Sequence, residues 1–183
     1  FTAFAEEVLA RKGIVVGAAF DDHFVVRHVI IDSHVDLAGL RGSKYVQSEI
    51  SPAVYQNVRS LLEQERNVLF TGTPCQVSGL RHFLRKTYDN LYCCDILCHG
   101  VPSPKVFEAY KKMNEQHYGA RIRSIAFRCK DSGWKRFSVS MVFENNKKYC
   151  HFYNTDPFMS GFLQNIYLRP SCHDCKFTKT SRT

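Results

Sequence analysis

Two stretches of this chain repeat one design, and that design restricts the fold more than any other feature. Val68-Leu69-Phe70 is a short apolar run that breaks into Thr71-Gly72-Thr73-Pro74-Cys75, and apolar residues then recur at helical spacing through Val77, Leu80, Phe83 and Leu84. Leu91 to Leu97 does the same, running into Cys98-His99-Gly100-Val101-Pro102-Ser103-Pro104 before a helical stretch from about Lys105 to Tyr118. A strand, a tight Gly loop and a helix N-terminus form the unit with which α/β proteins place reactive groups at the carboxyl edge of a sheet. Two such units in succession put Cys75 and Cys98 at one end of a parallel sheet.

The remaining elements follow from spacing and breakers. Phe1, Phe4, Ala5, Val8 and Leu9 give a helix over 1–12 that Gly13 stops, and Ile14 to Phe20 and Phe24 to Ile31 read as two strands joined by a hairpin at Asp21-Asp22-His23. Asp32 or Ser33 starts a short helix to Leu40, and Ser51-Pro52 opens a helix with its apolar stripe on Val54, Val58, Leu61 and Leu62, ending near Asn67. Beyond Gly119 the pattern turns to strands at Ile122 to Arg128, Phe137 to Glu144 and Lys147 to Tyr153, the last two joined at Asn145-Asn146. A short helix over 157–164 leads into a cysteine-containing loop, Leu168 to Phe177. The expected fold is α/β: a mixed sheet with strand–loop–helix units in the first two-thirds, and a β-rich hairpin region toward the end. The chain opens on a helix already in progress and stops in mid-loop at Thr183, so the expectation is one module over 1–183, cut from a longer chain at both ends.

Composition narrows the function classes. The longest apolar runs are strand-sized, far short of the roughly 18 to 20 residues that span a bilayer, so the reading is a soluble, cytoplasmic protein without a membrane span. The net charge of +8 is spread along the chain rather than gathered into one run, and no nucleic-acid motif accompanies it, which argues against DNA or RNA as a partner. Eight cysteines in 183 residues are many. A disulfide-stapled secreted domain is usually smaller and poorer in core than this sequence. Cys93, Cys94, Cys129 and Cys150 lie in or beside strand-like runs and read as buried small hydrophobes.

The other four, Cys75, Cys98, Cys172 and Cys175, sit in loop-like contexts rich in Gly, Pro, Ser or His. The C-x-x-C pair Cys172 and Cys175 can grip one metal or one cluster corner, because two intervening residues let both sulfurs point the same way. Cys75 and Cys98 would complete a four-thiolate set. Three chemistries use these atoms: an iron–sulfur cluster, a structural zinc site that also draws on His99 or His173, and thiol chemistry at Cys75 or between Cys172 and Cys175. Spacing alone leaves all three open.

Five segments in order, Gly42-Ser43-Lys44-Tyr45-Val46-Gln47-Ser48, Phe70-Thr71-Gly72-Thr73-Pro74-Cys75-Gln76, Cys98-His99-Gly100-Val101-Pro102-Ser103-Pro104, Ser132-Gly133-Trp134 and Arg169-Pro170-Ser171-Cys172-His173-Asp174-Cys175-Lys176, resemble the beta subunits of coenzyme F420 (deazaflavin) hydrogenases and dehydrogenases and their bacterial homologues. The resemblance covers nearly the whole chain, with 1–67 matching the N-terminal family region and 68–183 the C-terminal one. It implies an electron-transferring oxidoreductase carrying FAD and a 4Fe–4S cluster, with Cys75, Cys98, Cys172 and Cys175 as cluster ligands. It also implies that Lys44, Tyr45, Ser48, Gly72, Thr73 and Gln76 line the flavin site. In that setting Lys44 would stabilise charge on a reduced flavin, Tyr45 would pack on or hydrogen-bond a ring, and backbone N–H groups from Gly72 to Cys75 would hold a phosphate or the isoalloxazine edge. The implied partners are a ferredoxin-like donor or acceptor domain or subunit and a small-molecule redox substrate. The upstream cysteine-rich module and the downstream Gly-aromatic segment common in the family are absent from this sequence.

Overall fold

The computed structural model describes residues 1–130, 133 and 136–177, so Ser132 and Trp134 of the fourth family-like segment lie outside the described residues. Among the described residues the strands gather into two sheets, and the chain divides into two compact units. The first holds Phe1–Arg41 and Ser48–His99 with the described part of Lys176–Thr183; the second holds Gly42–Gln47 and Gly100–Cys175.

In the first unit β1 (Ile14–Phe20) and β2 (Val26–Ile31) form the expected antiparallel hairpin, and β3 (Val68–Gly72) and β4 (Leu91–Asp95) add in parallel, giving the order β2-β1-β3-β4. Both faces of the central strands are covered. Val15 and Leu69 pack with Ala5 and Leu9 of α1 (Thr2–Ala10) and with Leu37 and Leu40 of α2 (Leu37–Leu40). Ile14, Val16, Val68 and Phe70 point the other way, onto Val58 and Leu62 of α3 (Pro52–Glu63) and Val77, Leu80 and Leu84 of α4 (Pro74–Leu84). That two-sided burial explains why these strands read as continuous apolar runs rather than alternating ones. Element boundaries differ from the sequence reading by a few residues: α3 stops at Glu63 rather than near Asn67, and α2 is only one turn.

The second unit contains α5 (Pro104–Tyr118) and an antiparallel sheet of β5 (Ile122–Cys129), β6 (Ser138–Phe143) and β7 (Lys148–Phe152), followed by α6 (Pro157–Leu163). Asn146 takes φ of 64° in the β6–β7 turn, a conformation Asn tolerates better than most residues. Its core is aromatic, with Phe107, Phe127 and Phe158 meeting at ring distances of 5.3 to 5.9 Å. One buried carboxylate organises the polar atoms in it. Asp156, fully buried, caps α6 by accepting the Met159 N–H at 2.7 Å and also accepts the hydroxyls of Tyr110 at 2.5 Å and Tyr149 at 2.6 Å. Burial first, then the adjacent carboxylate, pushes the Tyr110 phenol well above its ordinary value of 10.0. The expected loop after Leu168 contains one helical turn, α7 (Pro170–His173), on which Cys172 sits.

The four strand cysteines correct the sequence reading. Cys93, Cys94 and Cys129 are half-buried and Cys150 is exposed. Their strands are the reason: β4 is the edge of the first sheet, and β5 and β7 are the two edges of the second, so one flank of each is uncovered.

Replacing Asp156 with Ala leaves two buried phenols and a helix N–H without their acceptor. Urea unfolding of Asp156→Ala should show a loss of roughly 3 to 5 kcal/mol, since each orphaned buried group costs about 1 to 3 kcal/mol.

Candidate functional site

The site is set by the parallel pairing of β3 with β4. Gly72 lies opposite Asp95 at the end of both strands, so α4, with Cys75 in its first turn rather than in a loop, and the loop carrying Cys98 leave the same carboxyl edge of the sheet, as the repeated design predicts. At this edge α4 starts with a reciprocal cap: the Thr73 N–H donates to Gln76 Oε1 at 2.9 Å while the Thr73 side chain accepts the Gln76 N–H. Pro74 occupies the first helical position and brings no N–H. Cys75 follows, exposed, with its sulfur 3.1 Å from Thr73 Oγ1.

Two expected cofactor contacts are therefore engaged within the protein. Gln76 spends its Oε1 on Thr73 and donates through Nε2 to the Ser48 carbonyl at 3.3 Å. Thr73 spends its backbone N–H on Gln76. These residues shape the edge and hold Ser48 beside it.

Ser48 is held from a second side by a residue that the sequence reading did not single out. The backbone around Ser48 runs along β2, with the His28 N–H donating to the Glu49 carbonyl and the Glu49 N–H to the Val26 carbonyl, each at 2.9 Å. The His28 ring, 5% exposed and stacked on Phe70 at 5.4 Å, lies between two oxygens. Its Nδ1 is 2.7 Å from Ser48 Oγ and its Nε2 is 2.9 Å from the Thr71 carbonyl. The available signal was positional: His28 shares the period-two face of Val26 and Ile30, an otherwise apolar face on which a histidine needs partners. Gly72 completes the arrangement. A Cβ there would lie 3.0 Å from Gln76 Oε1 and 3.3 Å from His28 Nε2, so a larger residue would have to push these side chains aside by a few tenths of an ångström.

Lys44 and Tyr45 belong to the second unit. The Tyr45 ring packs on Phe127 at 5.8 Å and on Phe162 at 5.5 Å, which anchors its segment. Lys44 donates to the Gly42 carbonyl at 3.3 Å, and burial pushes its ammonium down to about 8 from 10.5. A cation stripped of water in this way gains more than a solvated one from an incoming negative charge.

The four candidate thiolates divide evenly: Cys75 and Cys98 in the first unit, Cys172 and Cys175 in the second. None of the four is in a disulfide. Among the described residues no group of three or more His, Cys, Asp or Glu is gathered in a geometry that holds a metal ion. A separate cleft of about 620 Å³ opens against α1, lined by Phe4, Val8, Leu69, Tyr92 and Cys94 among others. Its Arg11 and Glu7 are paired with each other at 2.6 Å, and it includes none of His28, Ser48, Gly72 or Gln76.

A family model described as the C terminus of the coenzyme F420 hydrogenase/dehydrogenase beta subunit matches residues 65–183. Comparison with curated proteins gives no match. Among solved structures, a chain from the F420-reducing NiFe hydrogenase complex of Methanosarcina barkeri is similar in fold, with a TM-score of 0.59 and 17% identity over 95% of this chain. The match covers 57% of that longer chain.

Burial holds the His28 pKa below its ordinary 6.5, with the Thr71 hydrogen bond opposing part of the shift. In the window below pH 6.5 the unfolded chain therefore carries a proton on this ring that the folded chain lacks. Its stability is complete above that pH and falls on acidification through the window. In His28→Gln this component should vanish, which denaturant unfolding at about pH 7.5 and about pH 5.5 will measure.

Proposed function

This chain belongs to the coenzyme F420 hydrogenase/dehydrogenase beta-subunit family, and on that premise we propose that it is an electron-transferring oxidoreductase module moving electrons between an iron–sulfur cluster, FAD and an external acceptor. The observation that carries the proposal is the shared carboxyl edge of β3 and β4. It presents Cys75 from the first turn of α4 and Cys98 from the loop after β4, beside a glycine that admits close approach of neighbouring side chains and a serine held in a fixed orientation.

The donor chemistry fits a 4Fe–4S cluster. Cys75, Cys98, Cys172 and Cys175 are not in disulfides and lie near helix starts, turns and loops, and soft thiolates are the ligands such clusters take. FAD, when bound, supplies the exchange between one-electron and two-electron steps that an electron-transfer module needs. The residues of this chain have separate tasks around it. Ser48 offers an oriented hydroxyl, Gly72 lets the Gln76 and His28 side chains close in beside it, and Thr73 and Gln76 keep the arrangement in place through the α4 cap. Lys44, desolvated, favours the reduced and more negative state of a bound flavin. Tyr45 keeps the Lys44 segment anchored through its aromatic contacts. No helix among the described residues is long and apolar enough to cross a membrane. The reading is of a cytoplasmic module that works with a ferredoxin-like donor or acceptor domain or subunit and a small-molecule redox substrate.

Anaerobic purification of this chain and of a longer parent, with iron, sulfide, zinc and flavin assays, tests the proposal. Broad absorbance near roughly 400 nm with about four irons per chain, lost in Cys75→Ala and in Cys172→Ala, is the expected result. Stoichiometric zinc without sulfide and without flavin would instead identify a zinc-stapled structural or partner-binding domain.

Lys44→Met should make the potential of bound flavin more negative, because the variant loses a positive charge that favours the reduced form. A shift of roughly 30 mV corresponds to about 1.4 kcal/mol for a two-electron couple, and spectroelectrochemical titration reads it directly.

A further inference from the structure

We infer that His28 fixes Ser48 Oγ as a hydrogen-bond acceptor toward the ligand at this sheet edge, so that the ligand group meeting Ser48 carries an N–H or O–H and is not a phosphate. The identity of the ligand rests on the flavin reading above; the polarity of the contact rests on hydrogen-bond chemistry alone. The Thr71 carbonyl can only accept, so the imidazole nitrogen 2.9 Å from it, Nε2, carries a proton. A neutral ring protonated at Nε2 has a bare Nδ1, which can only accept, and the Ser48 hydroxyl 2.7 Å away supplies the hydrogen. With that hydrogen committed, Ser48 Oγ has only lone pairs left to offer.

Three further contacts keep this polarity from reversing. The ring is stacked on Phe70 and 5% exposed, so it does not turn freely. The His28 N–H is bonded to the carbonyl of Glu49, the residue next to Ser48, which locks the two backbones together. Gln76 Nε2 holds the Ser48 carbonyl from the α4 side. An ionised phosphate oxygen is an acceptor and would face another acceptor here, whereas the imide N–H of an isoalloxazine or a ribityl hydroxyl is a donor and matches. The neighbouring backbone agrees. The Thr73 N–H is already taken by Gln76, and Pro74 has none, so the start of α4 offers a reduced set of donors to a phosphate. His28 is thus a positioning residue, acting on the ligand through Ser48.

The test has two parts. Nitrogen-15 spectra of the ligand-free protein at about pH 7.5 should show His28 neutral, protonated at Nε2, with Nδ1 accepting a hydrogen bond. The opposite tautomer overturns the inference. Riboflavin, FMN and FAD are then titrated by fluorescence against the wild type, Ser48→Ala, His28→Gln and His28→Leu. Ser48→Ala should weaken all three ligands by one common factor, roughly three- to tenfold, the usual worth of a single hydrogen bond. His28→Gln, whose amide donates to Thr71 and accepts from Ser48, should restore most of the affinity. His28→Leu should fall to the level of Ser48→Ala, and combining it with Ser48→Ala should cost little more. A loss confined to FMN and FAD would place Ser48 on the phosphate and overturn the inference even if the variants fold well. A wild type that binds none of the three defeats the flavin reading and the ligand class with it, while the tautomer measurement still decides whether Ser48 is locked.

Discussion

Strand β3 is paired on both sides, with β1 and with β4, and both pairings are parallel. Val68, Leu69 and Phe70 pair with both neighbours while Thr71 and Gly72 pair with β4 alone, so the last two residues of the strand have backbone atoms to offer the site. It ends at Gly72, against His28 and Gln76, at the level where β4 reaches Asp95. The cap of α4, the seat of Ser48 and the exit of the segments carrying Cys75 and Cys98 all follow from that one stop. A sheet slipped by one residue here would turn the apolar faces of β3 around and separate those two segments.

The second unit solves a different problem. Its sheet is antiparallel and its core is dense in phenolic and phenyl rings, which bring large apolar area and a few hydroxyls that need acceptors. Asp156 meets that need by capping α6 and receiving two tyrosine hydroxyls at once. A carboxylate is the natural choice, since it accepts several bonds and charge-assisted bonds are stronger than neutral ones.

Much of this was legible in the sequence because the informative signals were local. The hairpin at Asp21-Asp22-His23, the Pro-led helix at Pro52 and the paired strand–loop–helix units all depend on neighbours within a few residues, and all appear in the fold. What escaped was set by distant partners. His28 looked like one polar residue on an apolar strand face, and its meaning depends on Ser48 and Thr71, which only the folded chain brings to it. The Thr73–Gln76 cap is local by contrast, but the reach of Gln76 Nε2 to the Ser48 carbonyl, 28 residues away, left no mark in the sequence. Cys93, Cys94, Cys129 and Cys150 looked buried because apolar runs do not announce which strand of a sheet is the edge.

The short segment Gly42–Gln47 packs with residues that follow Gly100, although the chain on either side of it belongs to the first unit. During synthesis Tyr45 leaves the ribosome well before Phe127 and Phe162, the rings it rests on, have been made. Domains generally consolidate in the order in which they emerge. This loop is therefore obliged to wait, open at both ends of a nearly finished sheet, until the later helix and strands arrive. The half-buried Lys44 beside Tyr45 belongs to this same segment, so its surroundings too are completed only by chain made much later.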